Sequence, residues 1–269
     1  MNRLKQLSKL LPTPLRAPVR DLWRKFRGNP ELHVLRLLSD PTRLAVDVGA
    51  NHGTYSIYLA RVAKGCVAFE PNLRLATLIE QASRSEGLDV QVHACALSDR
   101  VDEVVFSIPV VDGAELDALA TIETENQLSG AEVHHYPVPC RRLDDFELDP
   151  VGVVKIDAEG HEAAVLRGAR SLFERDRPGV LVEVEERHKK ESVGQVQSFF
   201  SSLGYEGFFL LGRYLRPIAE FNPAHHQDPS NIEMGEVRFD GVYVNNFVFV
   251  GDPARIDRMR RVSRSGKSL

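Results

Sequence analysis

Short apolar runs recur along the chain, and segments of helical period separate them. "RLAVDVGA" (43–50), "CVAFE" (66–70), "VQVHA" (90–94), "VVKID" (153–157) and "GVLVEVE" (179–185) each suit a strand buried on both faces. Between them, helices fit Thr54 to Val62, Leu73 to Ser85, a stretch opened by Gly160 and ending near Glu174, and about 190–203. Strands alternating with helices need crossover connections, so the sheet they build is mostly parallel. "EVVFSI" (103–108) and "GYEGFFLL" (204–211) bring the strand count to six or seven. "GVYVNNFVFVG" (241–251) closes the sheet with a strand antiparallel to the rest, its Asn245–Asn246 pair read as a turn.

A chain of 269 residues that is 43% hydrophobic and 27% charged is globular, and one α/β domain with appendages accounts for its length. The parts are a helical basic N-terminal extension (1–40), the α/β domain (41–251) with insertions near 110–140 and 212–240, and a basic C-terminal tail (252–269). Cys66, Cys95 and Cys140 are odd in number and lack C-x-x-C spacing, which points to neither a disulfide framework nor a zinc site and fits a reducing cytoplasm. No run approaches the roughly 18 apolar residues of a membrane span. The first residues also lack the unbroken apolar core of a signal peptide.

The net charge of −4 hides a segregation. Residues 1–29 hold eight Lys/Arg against Asp21 alone, and 252–269 hold six against Asp252 and Asp257. The body between them is therefore strongly acidic, which argues against nucleic acid as a partner. Leu4, Leu7, Leu10 and Leu11 share a helical face with Arg3, Lys5 and Lys9 among them, a pattern compatible with peripheral contact on an anionic membrane at the inner face of the cell membrane. The plainer reading is a short helix docked on its own domain and ended by Pro12 and Pro14.

"VDVGANHGTYS" places Asp47, Gly49 and Gly53 at the first strand-to-helix turn with the spacing D-x-G-x-x-x-G. The G-x-G-x-x-G of a pyrophosphate site is missing. A strand-end carboxylate before one tight glycine suits an amine-bearing cationic ligand instead. Glu70, 23 residues on, ends the next strand, where a carboxylate accepts both hydroxyls of a ribose. NAD and S-adenosylmethionine both carry that ribose; the glycine pattern and the antiparallel closing strand favour the latter over an NAD-dependent oxidoreductase.

Six blocks carry a family resemblance: "VDVGANHGTYS", "AFEPN" (68–72), "ALSD" (96–99), "RRLDDF" (141–146), "VKIDAEGHEAAVLRGA" (154–169) and "VLVEVE" (180–185). In this order they resemble FkbM-type methyltransferases over residues 43–250. The resemblance implies a class I Rossmann-like fold with a mostly parallel seven-stranded sheet and an antiparallel closing strand. It also implies S-adenosylmethionine as methyl donor and O-methylation of an acceptor hydroxyl, commonly on a sugar of a glycan or glycosylated metabolite. Carried over residue by residue, it puts Asp47, Gly49, Asn51 and Gly53 around the methionine moiety, Glu70 on the ribose, and Asn72, Leu97 and Ser98 near the adenine. His52 departs from the aliphatic residue of many relatives and is given no role.

An alcohol is a poor nucleophile until its proton is being removed, so a base or a metal belongs beside the acceptor. Lys155, Asp157 and Glu159 lie at one strand end, and "LVEVEERH" delivers Glu183, Glu185 and His188 to the same edge. The leading reading makes Asp157 or His188 the base, with Glu159 and Glu183 on acceptor hydroxyls and Lys155 neutralising the cluster. A divalent metal held by these carboxylates and a histidine is the other. His161 is expected at a helix start, and His225 and His226 in a solvated loop. A non-catalytic scaffold whose basic ends bind a membrane or a glycan-assembly complex competes with the enzyme, but acids at both Asp157 and Glu70 favour the enzyme. The insertions set the acceptor and hold no readable code, and the sequence does not specify the oligomeric state.

Overall fold

The structure, a computed structural model of the chain, describes residues 29–111, 114–115, 120–122, 132–233, 236–237 and 241–269. The basic segment read as a membrane-surface or docked helix lies at 1–28, outside the described residues.

The strands are β1 (Leu44–Val48), β2 (Cys66–Phe69), β3 (Val90–His93), β4 (Ala96–Leu97), β5 (Asp102–Val111), β6 (Ala114–Glu115), β7 (Glu132–Arg141), β8 (Val151–Asp157), β9 (Gly179–Glu183), β10 (Glu206–Leu211), β11 (Tyr214–Pro217), β12 (Ile232–Glu233), β13 (Glu236–Val237) and β14 (Asn246–Val250). The helices are α1 (Pro30–Leu38), α2 (Thr54–Val62), α3 (Leu73–Glu86), α4 (Glu162–Arg167), α5 (Arg170–Asp176), α6 (Ser192–Ser202), α7 (Pro223–His226) and α8 (Pro253–Ser265).

The main sheet has the order β11-β10-β14-β9-β8-β1-β2-β3. β3, β2, β1, β8 and β9 pair in parallel, and β14 runs antiparallel between β9 and β10. This is the Rossmann-like layout of a class I methyltransferase with its antiparallel closing strand. Among the described residues this sheet has eight strands, one more than the seven expected, because the chain after β10 turns back as β11 and pairs along the sheet's edge.

Both faces of the sheet are buried, which is why its strands read as unbroken Val/Ile/Leu runs. One face packs Val46, Val154, Ile156, Val182 and Phe247 with Val165, Phe173 and Phe200 of α4, α5 and α6. The other packs Ala45, Val153, Leu181 and Val248 with Leu35 and Leu38 of α1, Leu59 of α2 and Met259 of α8. α1 starts where Asn29 accepts the Glu31 N–H and Pro30 supplies a preset φ. The tail read at 252–269 is largely α8, capped by Asp252 and docked through Met259.

Three expectations change. "EVVFSI" is not part of the parallel alternation: it lies in β5, which pairs antiparallel with β7 in a separate sheet of order β4-β7-β5-β6. From Glu132 onward the insertion near 110–140 is thus the partner strand of β5. Asn245–Asn246 is not a turn, because β14 starts at Asn246, where that residue pairs with Glu183. The insertion near 212–240 holds β11, α7 and the short β12–β13 ladder, and His226 in it is buried against Phe221 and Phe209 rather than solvated.

Candidate active site

The turn after β1 is shaped by close approach. Gly49 has φ +72°, and a Cβ there would lie 1.8 Å from the carbonyl oxygen of Asp157. Gly53 has φ +77°, and its Cβ would meet the Ile79 side chain of α3 at 2.8 Å. No other residue type satisfies both the left-handed backbone and the missing space. The turn therefore presses the end of β1 against the end of β8, and Asn51, itself at φ 50°, is carried over the sheet's edge.

A cavity of about 320 Å³ opens there. Its donor end is lined by Gly49, Asn51, Phe69, Glu70 and Leu97, and its other end by Asp157, Glu159, Glu183, Glu185, Arg187 and Asn245. Glu70 is buried, and its two carboxylate oxygens accept the N–H groups of Asn51 at 2.7 Å and Asn72 at 2.8 Å. These bonds fix the carboxylate plane at the cavity wall, where it can meet a ribose hydroxyl.

Other expected contacts are indirect. Asn72 caps α3, its side chain accepting from the Arg74 and Leu75 N–H groups, and it does not line the cavity. Ser98 is buried behind the cavity wall, with its hydroxyl 2.8 Å from His161 Nε2. Of the three residues expected near the adenine, Leu97 alone lines the cavity.

Asp47 and Lys155 are Cα partners on adjacent strands, both buried beneath the cavity floor. Lys155 Nζ donates to Asp157 Oδ2 at 2.7 Å and sits 4.7 Å from the centre of the Tyr55 ring. Burial favours the neutral amine, but Asp157, Glu183 and Asp47 outweigh it and hold Lys155 protonated, above the ordinary lysine range. Asp47 accepts from the Ser56 hydroxyl through Oδ2. Its Oδ1 is buried, and the described residues offer it no partner. An orphaned carboxylate oxygen below Gly49 fits the amine end of S-adenosylmethionine, as Glu70 fits its ribose.

Around this pair the acids are crowded. Burial and then the nearby Asp157 push the Glu183 carboxyl well above its usual range, and burial also raises Glu159 and Asp47. Glu183 accepts from the Asn245 side chain. Sequence reasoning missed Glu31: from α1 its carboxylate accepts from the Tyr55 hydroxyl and the Asn246 amide, and burial raises it too. A lone Glu in the first turn of a helix carried no signal of this placement.

His188 Nε2 lies 3.0 Å from Glu159 Oε2 and 3.7 Å from Glu185 Oε1. Burial opposes its charge, but the two facing carboxylates outweigh burial and raise it to about 9. His188 is therefore a cation at neutral pH, not the base that the sequence offered as an alternative to Asp157. Glu185 is held down to about 2: burial is outweighed by bonds from His188, Arg187 and Tyr243. Asp157 lines the cavity and is held by the Lys155 ammonium. Among the described residues, no group of three or more His, Cys, Asp or Glu side chains is arranged to hold a metal ion.

The model of the methyltransferase FkbM domain matches residues 47–206. That is more than half of the chain, which belongs to this family and carries an S-adenosylmethionine-dependent methyltransferase domain. Over 161 residues it is 27% identical to the hexuronic acid methyltransferase AglP of Haloferax volcanii, a match covering 58% of this chain and 63% of the relative. The FkbM methyltransferase structure from Methylobacillus flagellatus aligns with TM-score 0.49 at 16% identity, over 91% of this chain and 57% of that one. An rRNA methylase structure from Streptococcus thermophilus aligns with TM-score 0.45 at 10% identity, over 81% and 91%. The chain thus spans less than two thirds of the length of AglP and of the M. flagellatus protein.

Proposed function

We propose that the protein is an S-adenosylmethionine-dependent O-methyltransferase acting on a sugar hydroxyl of a glycan or glycosylated metabolite. The observation that carries this reading is the continuity of one cavity from Glu70 and Leu97 to Asp157, Glu183 and Asn245. A donor end built for a ribose leads directly to an end lined by a carboxylate base and hydroxyl-binding groups. The relative that methylates a hexuronic acid supports a sugar-type acceptor.

The donor, when bound, supplies a methyl group on a sulfonium sulfur. Glu70 and Asn51, which line the donor end, would hold the ribose and cover the turn, with Asp47 buried beneath them. At the far end the Glu183 and Glu159 carboxyl groups and the Asn245 amide can each hydrogen-bond an acceptor hydroxyl. Asp157 takes the hydroxyl proton as the oxygen attacks, and Lys155 behind it keeps that carboxylate oriented. The test is transfer of labelled methyl from S-adenosylmethionine to a panel of glycosides. Label in the sugar supports the reading, and label confined to non-sugar acceptors overturns it.

A further inference from the structure

We infer that the acceptor sugar residue entering this cavity carries no anionic group: it is a neutral or amine-bearing sugar, not a uronic acid, a sugar phosphate or a sulfated sugar. The inference rests on the sugar-acceptor reading above and deepens it.

At the acceptor end the described lining residues include Asp157, Glu159, Glu183 and Glu185. One Lys/Arg side chain, Arg187, is among the described lining residues, and its Nε and one terminal nitrogen are both turned onto the Glu185 carboxylate. That pair is close to neutral as a unit. The remaining cations near the site face away from an acceptor. His188 is buried between Glu159 and Glu185. Lys155 is buried beneath Asp157, with its ammonium on that carboxylate and over the Tyr55 ring. A bound carboxylate or phosphate would thus meet like charge, with no uncommitted cation among the described lining residues to offset it, in a setting where water screens little.

Residues 101–140 hold eight Asp/Glu and no Lys or Arg, and Phe106, Ala120, Thr121 and Ile122 from this stretch line the cavity. Burial is the main cause of the upward shift of Glu183 and Glu159, and the neighbouring Asp157 carboxylate adds to it. The same field draws in a sugar ammonium. The hexuronic acid named for the Haloferax relative is therefore the acceptor type this site disfavours.

The experiment uses the full chain, tritiated methyl donor and matched methyl glycosides: a hexose, its 6-carboxylate, its 6-phosphate and its 2-amino analogue. Label is expected in the neutral and amino members, at least about tenfold above the carboxylate and phosphate. Label favouring the carboxylate or phosphate overturns the inference and leaves the sugar-acceptor reading standing. Label in none of the sugars overturns that reading and the inference with it. A second arm uses Ile122→Lys, which places a cation on the cavity wall. The preference for the neutral member over the carboxylate should narrow several-fold; an unchanged ratio would show that charge does not set it.

Discussion

Gly49 and Asp157 touch through their backbones: a methyl group on the Gly49 Cα would sit 1.8 Å from the Asp157 carbonyl oxygen. The turn assigned to the donor and the residue assigned to proton removal are therefore one mechanical unit, although 108 residues separate them in the chain. Gly49→Ala should shift both. The left-handed backbone alone costs about 1–3 kcal/mol for a non-glycine residue, and the carbonyl must also move. Denaturant unfolding should show a loss of at least that size, and calorimetry should show weakened S-adenosylhomocysteine. An Ala variant of native stability and affinity would contradict the contact.

Glu70→Ala should weaken S-adenosylhomocysteine at least tenfold, because charge-assisted hydrogen bonds to ribose hydroxyls contribute about 1.5–3 kcal/mol each. Circular dichroism must show the variant folded, since Glu70 also holds the Asn51 and Asn72 N–H groups. Unchanged affinity in a folded variant would remove Glu70 from the donor site.

Lys155→Met should cost about 3–5 kcal/mol near pH 8, because it strips the cation from between Asp157, Glu183 and Asp47. In the wild type the lysine is raised in the folded state. Its stabilisation is therefore present below its ordinary value and is lost only as pH climbs through the folded one. In the variant Glu183 and Asp47, already shifted upward, take up protons as pH falls, so the deficit should shrink toward pH 5. Urea melts of both proteins at pH 5 and pH 8 measure this; a deficit equal at both would mean that packing, not charge, sets it.

Glu162 gives a pH signature of opposite kind. Burial raises its carboxyl to about 7, Oε1 accepts the Gly160 N–H, and the described residues offer Oε2 no partner. A carboxyl raised in the folded state costs stability that appears as pH rises from the ordinary value near 4.5 through about 7. Glu162→Gln, which keeps the acceptor oxygen, should therefore gain on the wild type between pH 5 and pH 8, by roughly 3 kcal/mol at most. A stability difference that does not vary with pH would count against a charged Glu162 in the native protein.

The parts of the site that follow from local period and turn chemistry were legible in the sequence. Apolar runs located β1, β2, β8 and β9, and alternation put Lys155 and Asp157 on one side with Glu183 brought to the same edge. Gly49 and Gly53 marked the tight turn. What escaped depended on long-range packing. Asn72 reads as a ligand contact in a motif, yet caps a helix, because its position just before α3 suits it to the helix N–H groups. Asn245 reads as a turn residue, yet its amide reaches Glu183 because β14 inserts beside β9. His188 reads as a base, and only its placement between two carboxylates makes it a cation. Phe106 and Thr121 reach the cavity from a hairpin whose pairing no local pattern announced.

The most direct measurement is the Asp157→Asn variant followed in two assays, methyl transfer to the glycoside labelled best by the wild type and S-adenosylhomocysteine affinity by calorimetry. Asn keeps the shape and hydrogen bonding of Asp but removes its basicity. Transfer should fall by about two to four orders of magnitude, the usual contribution of a general base, while affinity changes far less because Glu70 and Asp47 hold the donor. Near-normal transfer by Asp157→Asn would contradict Asp157 as the base and leave the acid cluster only shaping the pocket.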